Sequence, residues 1–445
     1  MRFFSNSALL QLAILFALSL LSAANLVNVN VIRDIDLKAL VTREKTRLVA
    51  LNSGNADQSN YIFLVPDNVK SRLSVLSAID IKSSDPLLVT KLGYNEERKA
   101  DEYSVRFSTP LKPNEKASIK IEATFTRKFE AYPEEISLDD DAYYKYSRNI
   151  YLESLYQTKK QKTILTLPNS VTLSHSDKPS PVAIKNNELT YGPYLDKDIS
   201  ETAVISVIFH DTVAHSRFAS SKRVITISHF SNTLSVADNN VLVNDSPRIT
   251  DYDKSKVYLN AFLKKTKNSL IGLNTAIPFD AHNIFYTDRN GNVSTSAISE
   301  IPRKSGRSSF KILQINPRYS IMGGWKYGFN AGYYSKLSNF LRYDSNTGVY
   351  NLKIDFMGLY MDIGSDYYEL VVVLPEGATD IKTIIPFDVD SETISTVYKH
   401  LDFFGRKQVL IKKKNVSTEL STPIIVSYKL PGYNQIVKPV KTKSE

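Results

Sequence analysis

Cysteine is absent from all 445 residues, and that absence removes thiol catalysis, disulfide staples and every cysteine-based zinc site. A small secreted domain needs such staples, whereas a domain of roughly 200 residues buries enough core to stand without them. The enzyme motifs are missing too. No HExxH sets two histidines on one helix face for zinc, and no GxSxG raises a nucleophile on a sharp turn. Neither GxxxxGK(S/T) nor GxGxxG is there to cradle a phosphate. The six histidines, His175, His210, His215, His229, His282 and His400, never fall at i, i+4. Asp-x-Asp triplets at Asp34/Asp36, Asp139/Asp141, Asp251/Asp253 and Asp388/Asp390 have the hard oxygens a divalent cation wants. None adjoins a glycine-rich loop, and no metal or cofactor is expected.

A concentrated basic stripe is also lacking. The net charge is +10, from 56 Lys and Arg against 46 Asp and Glu, but the densest short run is only Lys412-Lys413-Lys414. Nucleic-acid binding calls for a clustered patch or a named motif, so no nucleic-acid partner is expected. Beyond the N-terminus, no stretch reaches the ~20 apolar residues that a bilayer span requires.

The N-terminus itself carries the clearest signal. Arg2 is followed by the apolar run Ala8–Leu21 and then by the small residues Ser22-Ala23-Ala24. This is the pattern of a secretory signal peptide, cut after Ala24; a retained signal anchor is the other reading.

Tyr 26 and Phe 20 form a rich aromatic supply, which suits pleated, half-buried surfaces. In ASIKIEATF, residues 117–125, Ile119, Ile121, Ala123 and Phe125 alternate with polar side chains, as a strand with one wet face would. Residues 202–209, 223–228, 368–374 and 423–428 also read as strands. Short helices are expected over 142–157 and 254–265. The composition therefore predicts a mainly β chain of two tandem β-sandwich-like domains with a few short helices. The expected division is 1–24 signal peptide, 25–215 first domain, 216–432 second domain and 433–445 polar basic tail, with the polar segment 210–222 as linker. The phrases Phe63-Leu64-Val65-Pro66-Asp67 and Val372-Val373-Leu374-Pro375-Glu376 hint at an internal repeat.

Behind a signal peptide, the sequons at Asn244, Asn292 and Asn415 become candidate glycan acceptors on surface turns. Asn292 follows Asp288-Arg289-Asn290-Gly291, a strong turn signal. The only tryptophan, Trp325, follows Gly323-Gly324, which allows positive φ or a close backbone approach. Trp325, Tyr327, Tyr333 and Tyr334 are candidates for an interface, since exposed Tyr and Trp favour one; core packing is the ordinary alternative.

Several of these phrases occur together in one order. Tyr191-Gly192-Pro193-Tyr194, Arg223–His229 (RVITISH), Phe285-Tyr286-Thr287-Asp288, Gly291–Ser296 (GNVSTS), Pro317-Arg318-Tyr319, Gly323-Gly324-Trp325 and Leu374–Ala378 (LPEGA) follow one another. In that order the chain resembles the ribophorin I family, most clearly over residues 191–378. The resemblance implies two β-rich luminal domains and a non-catalytic subunit of the oligosaccharyltransferase complex of the endoplasmic reticulum. Its implied partners are the multi-spanning catalytic subunit, the other subunits, the translocon and the nascent polypeptide. Two departures stand out. Phe230-Ser231 replaces the family's aromatic and glycine, and no apolar span follows the second domain, where family members carry a transmembrane helix. Either the anchor is absent, and association through luminal contacts alone is then expected, or the sequence is a truncated form of a longer chain. A secreted or cell-wall β-sandwich adhesion glycoprotein is the alternative.

Overall fold

The computed structural model describes residues 26–431 except 127–128, 169–171, 263–266, 301–309, 359, 361–362 and 400–401. The expected signal peptide and the expected basic tail lie outside the described residues. The chain forms two compact units. The first takes the chain through Tyr132 and then Tyr143–Asp211; the second takes Pro133–Ala142 and everything from Thr212 onward. Both are mainly β, as the sequence predicts.

Each unit is built on an eight-stranded sheet. In the first, the spatial order is Val182–Lys185, Glu188–Lys197, Thr158–Thr166, Leu26–Asp36, Thr42–Asn52, Lys116–Phe125, Leu73–Asp80 and Pro86–Leu87. In the second it is Ser391–Val397, Arg406–Val416, Ser365–Glu376, Ser216–Ser228, Thr233–Asn244, Lys326–Lys336, His282–Asp288 and Gly291–Asn292. Strand for strand, the two orders match in sheet position and in chain order. In each unit the first strand of the chain pairs antiparallel with the second and parallel with a later one.

The smaller sheets match as well. Gln58–Pro66, Ala100–Leu111 and Val89–Asn95 form a three-stranded sheet whose counterpart is Leu273–Pro278, Phe310–Ile315 and Ala297–Glu300. The four-stranded sheet of Thr172–His175, Val204–His210, Tyr143–Asn149 and Glu130–Ala131 corresponds to Thr379–Ile384, Pro423–Lys429, Val349–Asp355 and Leu341–Asp344. The chain is thus one three-sheet fold laid down twice. The phrases at Phe63–Asp67 and Val372–Glu376 do not mark that repeat, because they end strands in non-equivalent sheets.

Local chemistry explains the strands. Ile119, Ile121, Ala123 and Phe125 face the core of the first unit beside Tyr61, Phe63 and Val105 from the three-stranded sheet. Leu370–Leu374 does not alternate, and every residue of that run is buried, as suits a central strand covered on both faces. The segment 210–222 is polar without being a linker throughout. A strand begins at Ser216, and Ser216 and Ser221 are buried in it.

The helix expected over 142–157 is a strand, Tyr143–Asn149, with Tyr144, Tyr146 and Arg148 buried at every second position. Aromatic β propensity wins there. The other expected helix is present as Lys254–Phe262. Asp253 Oδ1 accepts from the N–H groups of Ser255 at 2.7 Å and Lys256 at 3.3 Å, capping its start.

Candidate functional site

Two features of the second unit invite a functional reading. The first is a cleft of about 830 Å³ where its three sheets meet. Ile225, Leu234 and Val236 of the large sheet, Ile277 of the three-stranded sheet and Ile354 of the four-stranded sheet make it largely apolar.

A polar island interrupts this apolar face. Side chains on the inward row of three adjacent strands include Arg223, Asp238 and Tyr333, and Arg223 and Tyr333 line the cleft. Arg223 Nη1 lies 3.3 Å from Asp238 Oδ2, and the Tyr360 hydroxyl donates to the same oxygen at 2.7 Å. Arg223 Nη2 meets the Tyr333 hydroxyl at 3.4 Å. Both charged side chains are 8% exposed, so neither reaches bulk water freely. Burial works against the Arg223 charge and is the largest single influence, but Asp238, Tyr333, Tyr368 and Tyr360 together outweigh it and raise the guanidinium's pKa. Burial likewise pushes the Tyr360 hydroxyl well above its usual range, and Asp238 adds to the effect. Arg223 Nε, Asp238 Oδ1 and Asn240 Nδ2 have no partner among the described residues. Gly358 lets the guanidinium in, for a Cβ there would stand 2.3 Å from Nη1.

The first unit has a parallel arrangement on its own first hairpin. Arg33 Nη2 and Arg148 Nη2 lie 2.7 and 3.1 Å from Glu44 Oε2, all three side chains being nearly inaccessible. A buried Arg–carboxylate pair at the heart of each unit argues that these charges fix the fold.

The second feature is a strip of aromatic rings. Tyr252 and Trp325 have centroids 5.2 Å apart, Trp325 and Tyr319 5.8 Å, and Tyr319 and Tyr327 5.8 Å. Tyr252 and Tyr319 are close to half exposed, Trp325 is half-buried and Tyr327 is buried. The glycine pair earns its place in two ways. A Cβ on Gly323 would fall 1.8 Å from the Pro247 carbonyl oxygen, and Gly324 adopts φ +79°. Asn244 ties the loop down. Its Nδ2 donates to the carbonyls of Asn268 and Ile321, both at 2.9 Å, while its backbone N–H donates to the Trp325 carbonyl at 3.1 Å.

Asn244 is therefore wholly buried and does not sit on a surface turn. Asn292 is exposed on a hairpin, and Asn415 is half-buried at a φ of +51°. The four aromatic candidates divide by strand parity. Trp325 sits within the strip between Tyr252 and Tyr319, Tyr327 and Tyr333 face inward and are buried, and Tyr334 points the other way and is exposed. For Tyr327 and Tyr333 core packing replaces the expected interface. Sequence inspection named Tyr319 only within the Pro317-Arg318-Tyr319 phrase and did not single out Tyr252, which the fold alone brings beside Trp325.

The Asp-x-Asp pairs are engaged locally. Asp34 meets Arg47 at 2.6 Å, Asp141 meets Lys267 at 2.6 Å, and Asp390 accepts the Lys414 N–H at 2.7 Å. Among the described residues, no group of three or more His, Asp or Glu is placed to hold a metal ion. Nor is any helix there long and apolar enough to cross a membrane.

Fold and site together define a class: a duplicated three-sheet β protein with a charged pair locked inside each copy and an aromatic strip on the second. The chain belongs to the ribophorin I family, whose model matches residues 26–443 and so covers both units. It is 27% identical to dolichyl-diphosphooligosaccharide–protein glycosyltransferase subunit 1A of Arabidopsis thaliana, over 96% of this chain and 70% of that one. Subunit 1 of Schizosaccharomyces pombe is also 27% identical, over 90% of this chain and 88% of its own. Among solved structures, native leukotriene A4 hydrolase of Saccharomyces cerevisiae aligns with 48% of this chain and 29% of that one. Its identity is 10% and its TM-score 0.28, too slight a likeness to carry an argument.

Proposed function

We propose that this chain is a non-catalytic subunit of an oligosaccharyltransferase complex, working on the luminal side of the endoplasmic reticulum. The observation that carries the reading is the family match across both units, together with relatives named as subunit 1 of that glycosyltransferase. The adhesion reading is not favoured by these relatives. In this account residues 1–24 are removed as a signal peptide, and the two units, which divide after Asp211 with Pro133–Ala142 joined to the second, form the luminal domains expected at 25–215 and 216–432.

The role is to brace the multi-spanning catalytic subunit and to present nascent polypeptide arriving from the translocon. Two things support a non-catalytic part: the buried Arg223 and Asp238 are committed to each other, and so are Arg33 and Glu44. Such pairs give rigidity, and removing one partner strands a charge. The strip of Tyr252, Trp325 and Tyr319 supplies rigid, partly exposed rings of the kind that anchor protein contacts. Asn292 and Asn415 are the proposed glycan acceptors.

Depletion of the chain in cells tests the reading, with sequon occupancy of a reporter glycoprotein as the readout. Occupancy falls if the chain serves the transferase, while the purified chain alone transfers no oligosaccharide. Unchanged occupancy, or transfer by the purified chain, refutes the proposal.

A further inference from the structure

We propose that one end of the second unit, carrying Phe230, Tyr398, Phe403 and Phe404, seats in the interfacial zone of a lipid bilayer. The four side chains are 82, 69, 59 and 68% exposed, values at odds with the fate of large rings in a folded domain. They are also gathered. Phe230 follows the strand that ends at Ser228, Tyr398 follows the strand that ends at Val397, and Phe403-Phe404 precede the strand that starts at Arg406. These strands lie within one run of four neighbours, Val397 and Glu376 each pairing with Arg406. At about 4.8 Å between strands the loops share a patch roughly 15 Å wide.

The rings are held outward by the backbone. Glu376 Oε1 accepts from the N–H groups of Phe403 at 2.5 Å and Phe404 at 2.6 Å. Gly405 turns the chain at φ +71°. Lys399 Nζ reaches Thr226 Oγ1 at 3.3 Å, linking the loop to the strand that leads to Phe230.

The first unit provides an internal control, because the same fold closes the same turns without exposed aromatics. Its counterpart hairpin turns through Asn186-Asn187, and the turn after its first strand tucks Leu37 and Val41 inside. The aromatic end is therefore no requirement of the fold.

The chemistry favours lipid over a protein partner. Phenylalanines on separate short loops suit wedging between acyl chains, with Tyr398 at the polar boundary. On the flank Lys407 is exposed, while Lys429 is paired with Asp380 at 3.3 Å; an exposed lysine attracts anionic headgroups. The described chain also leaves the fold here. His229 Nε2 lies 2.6 Å from the Tyr428 hydroxyl at this end.

The test needs no complex partner, so its outcome is separate from that of the subunit reading. The full chain, freed of residues 1–24, is floated with vesicles of phosphatidylcholine alone and of phosphatidylcholine with phosphatidylserine. Binding to both is expected, stronger with phosphatidylserine, and F230S/F403S/F404S lowers it by at least about tenfold at an unchanged unfolding midpoint. Depth is read by brominated lipid. Trp325 sits near the opposite end of its strand, roughly 35 Å away at ~3.4 Å per residue, and its emission is unquenched. Phe404→Trp in a Trp325→Phe background is quenched. The proposal falls if the wild-type chain stays off vesicles, as a buried protein contact would require. It falls equally if the triple variant binds undiminished, which would leave lysine adsorption alone.

Discussion

Arg223 and Asp238 are buried against each other inside the second unit. Truncating one member of a buried pair leaves the other charge uncompensated, which costs about 3–5 kcal/mol. Arg223→Met is therefore expected to lower the unfolding free energy by that margin, read as a fall in the urea midpoint at unchanged m. Arg223→Met with Asp238→Leu should recover most of the loss, because no charge is then left behind. The pair was invisible in the sequence, since strand pairing across 15 positions brings it together. His229 makes a pH-dependent contribution. Burial depresses its pKa from 6.5, so the unfolded state binds the proton more readily. Stability from this site is complete above about pH 6.5 and declines as pH falls below it. Denaturant titrations against pH should show that slope, and His229→Phe should flatten it.

At the scale of elements, alternation and backbone geometry decide what sequence can reveal. Residues 117–125 were legible because one face is apolar; residues 142–157 were not, because Tyr144 and Tyr146 look like helix or strand until a partner strand claims them. Gly332 illustrates a constraint the chain hides. A Cβ there would stand 2.4 Å from the Val236 carbonyl oxygen and 2.5 Å from the Phe285 ring. Gly332→Ala is expected to destabilise by about 1–3 kcal/mol, and thermal unfolding measures it. The two hairpin and loop-end sequons differ just as sharply. Asn292 is exposed while Asn244 uses both amide hydrogens within its loop. Endoglycosidase treatment should thus change the mass of the wild-type chain and not of a variant lacking Asn292 and Asn415. Persisting glycan in that variant would place it on Asn244 and contradict the geometry.

The whole molecule is one fold written twice, and the sequence hardly betrays it. Sheet order is kept by main-chain hydrogen bonds and by burial parity, neither of which demands particular residues. Arg33 with Glu44 in one unit and Arg223 with Asp238 in the other keep the chemistry while changing partner and position. Function was legible for a different reason. The phrase around Tyr191 falls at a register shift within a strand, that around Asp288 at a turn, that around Trp325 at a packed glycine loop and that around Leu374 on a central strand, where geometry narrows the choice of residue. Duplication gives such a chain a second copy to specialise, and the aromatic strip and the aromatic end both belong to the second. The proposed subunit role rests on the family match across both units. A mild-detergent pulldown of the tagged native chain from microsomes, with partners identified by mass spectrometry, tests it most directly. Recovery of the multi-spanning transferase in near-stoichiometric amount is the predicted result; a partnerless chain would contradict it.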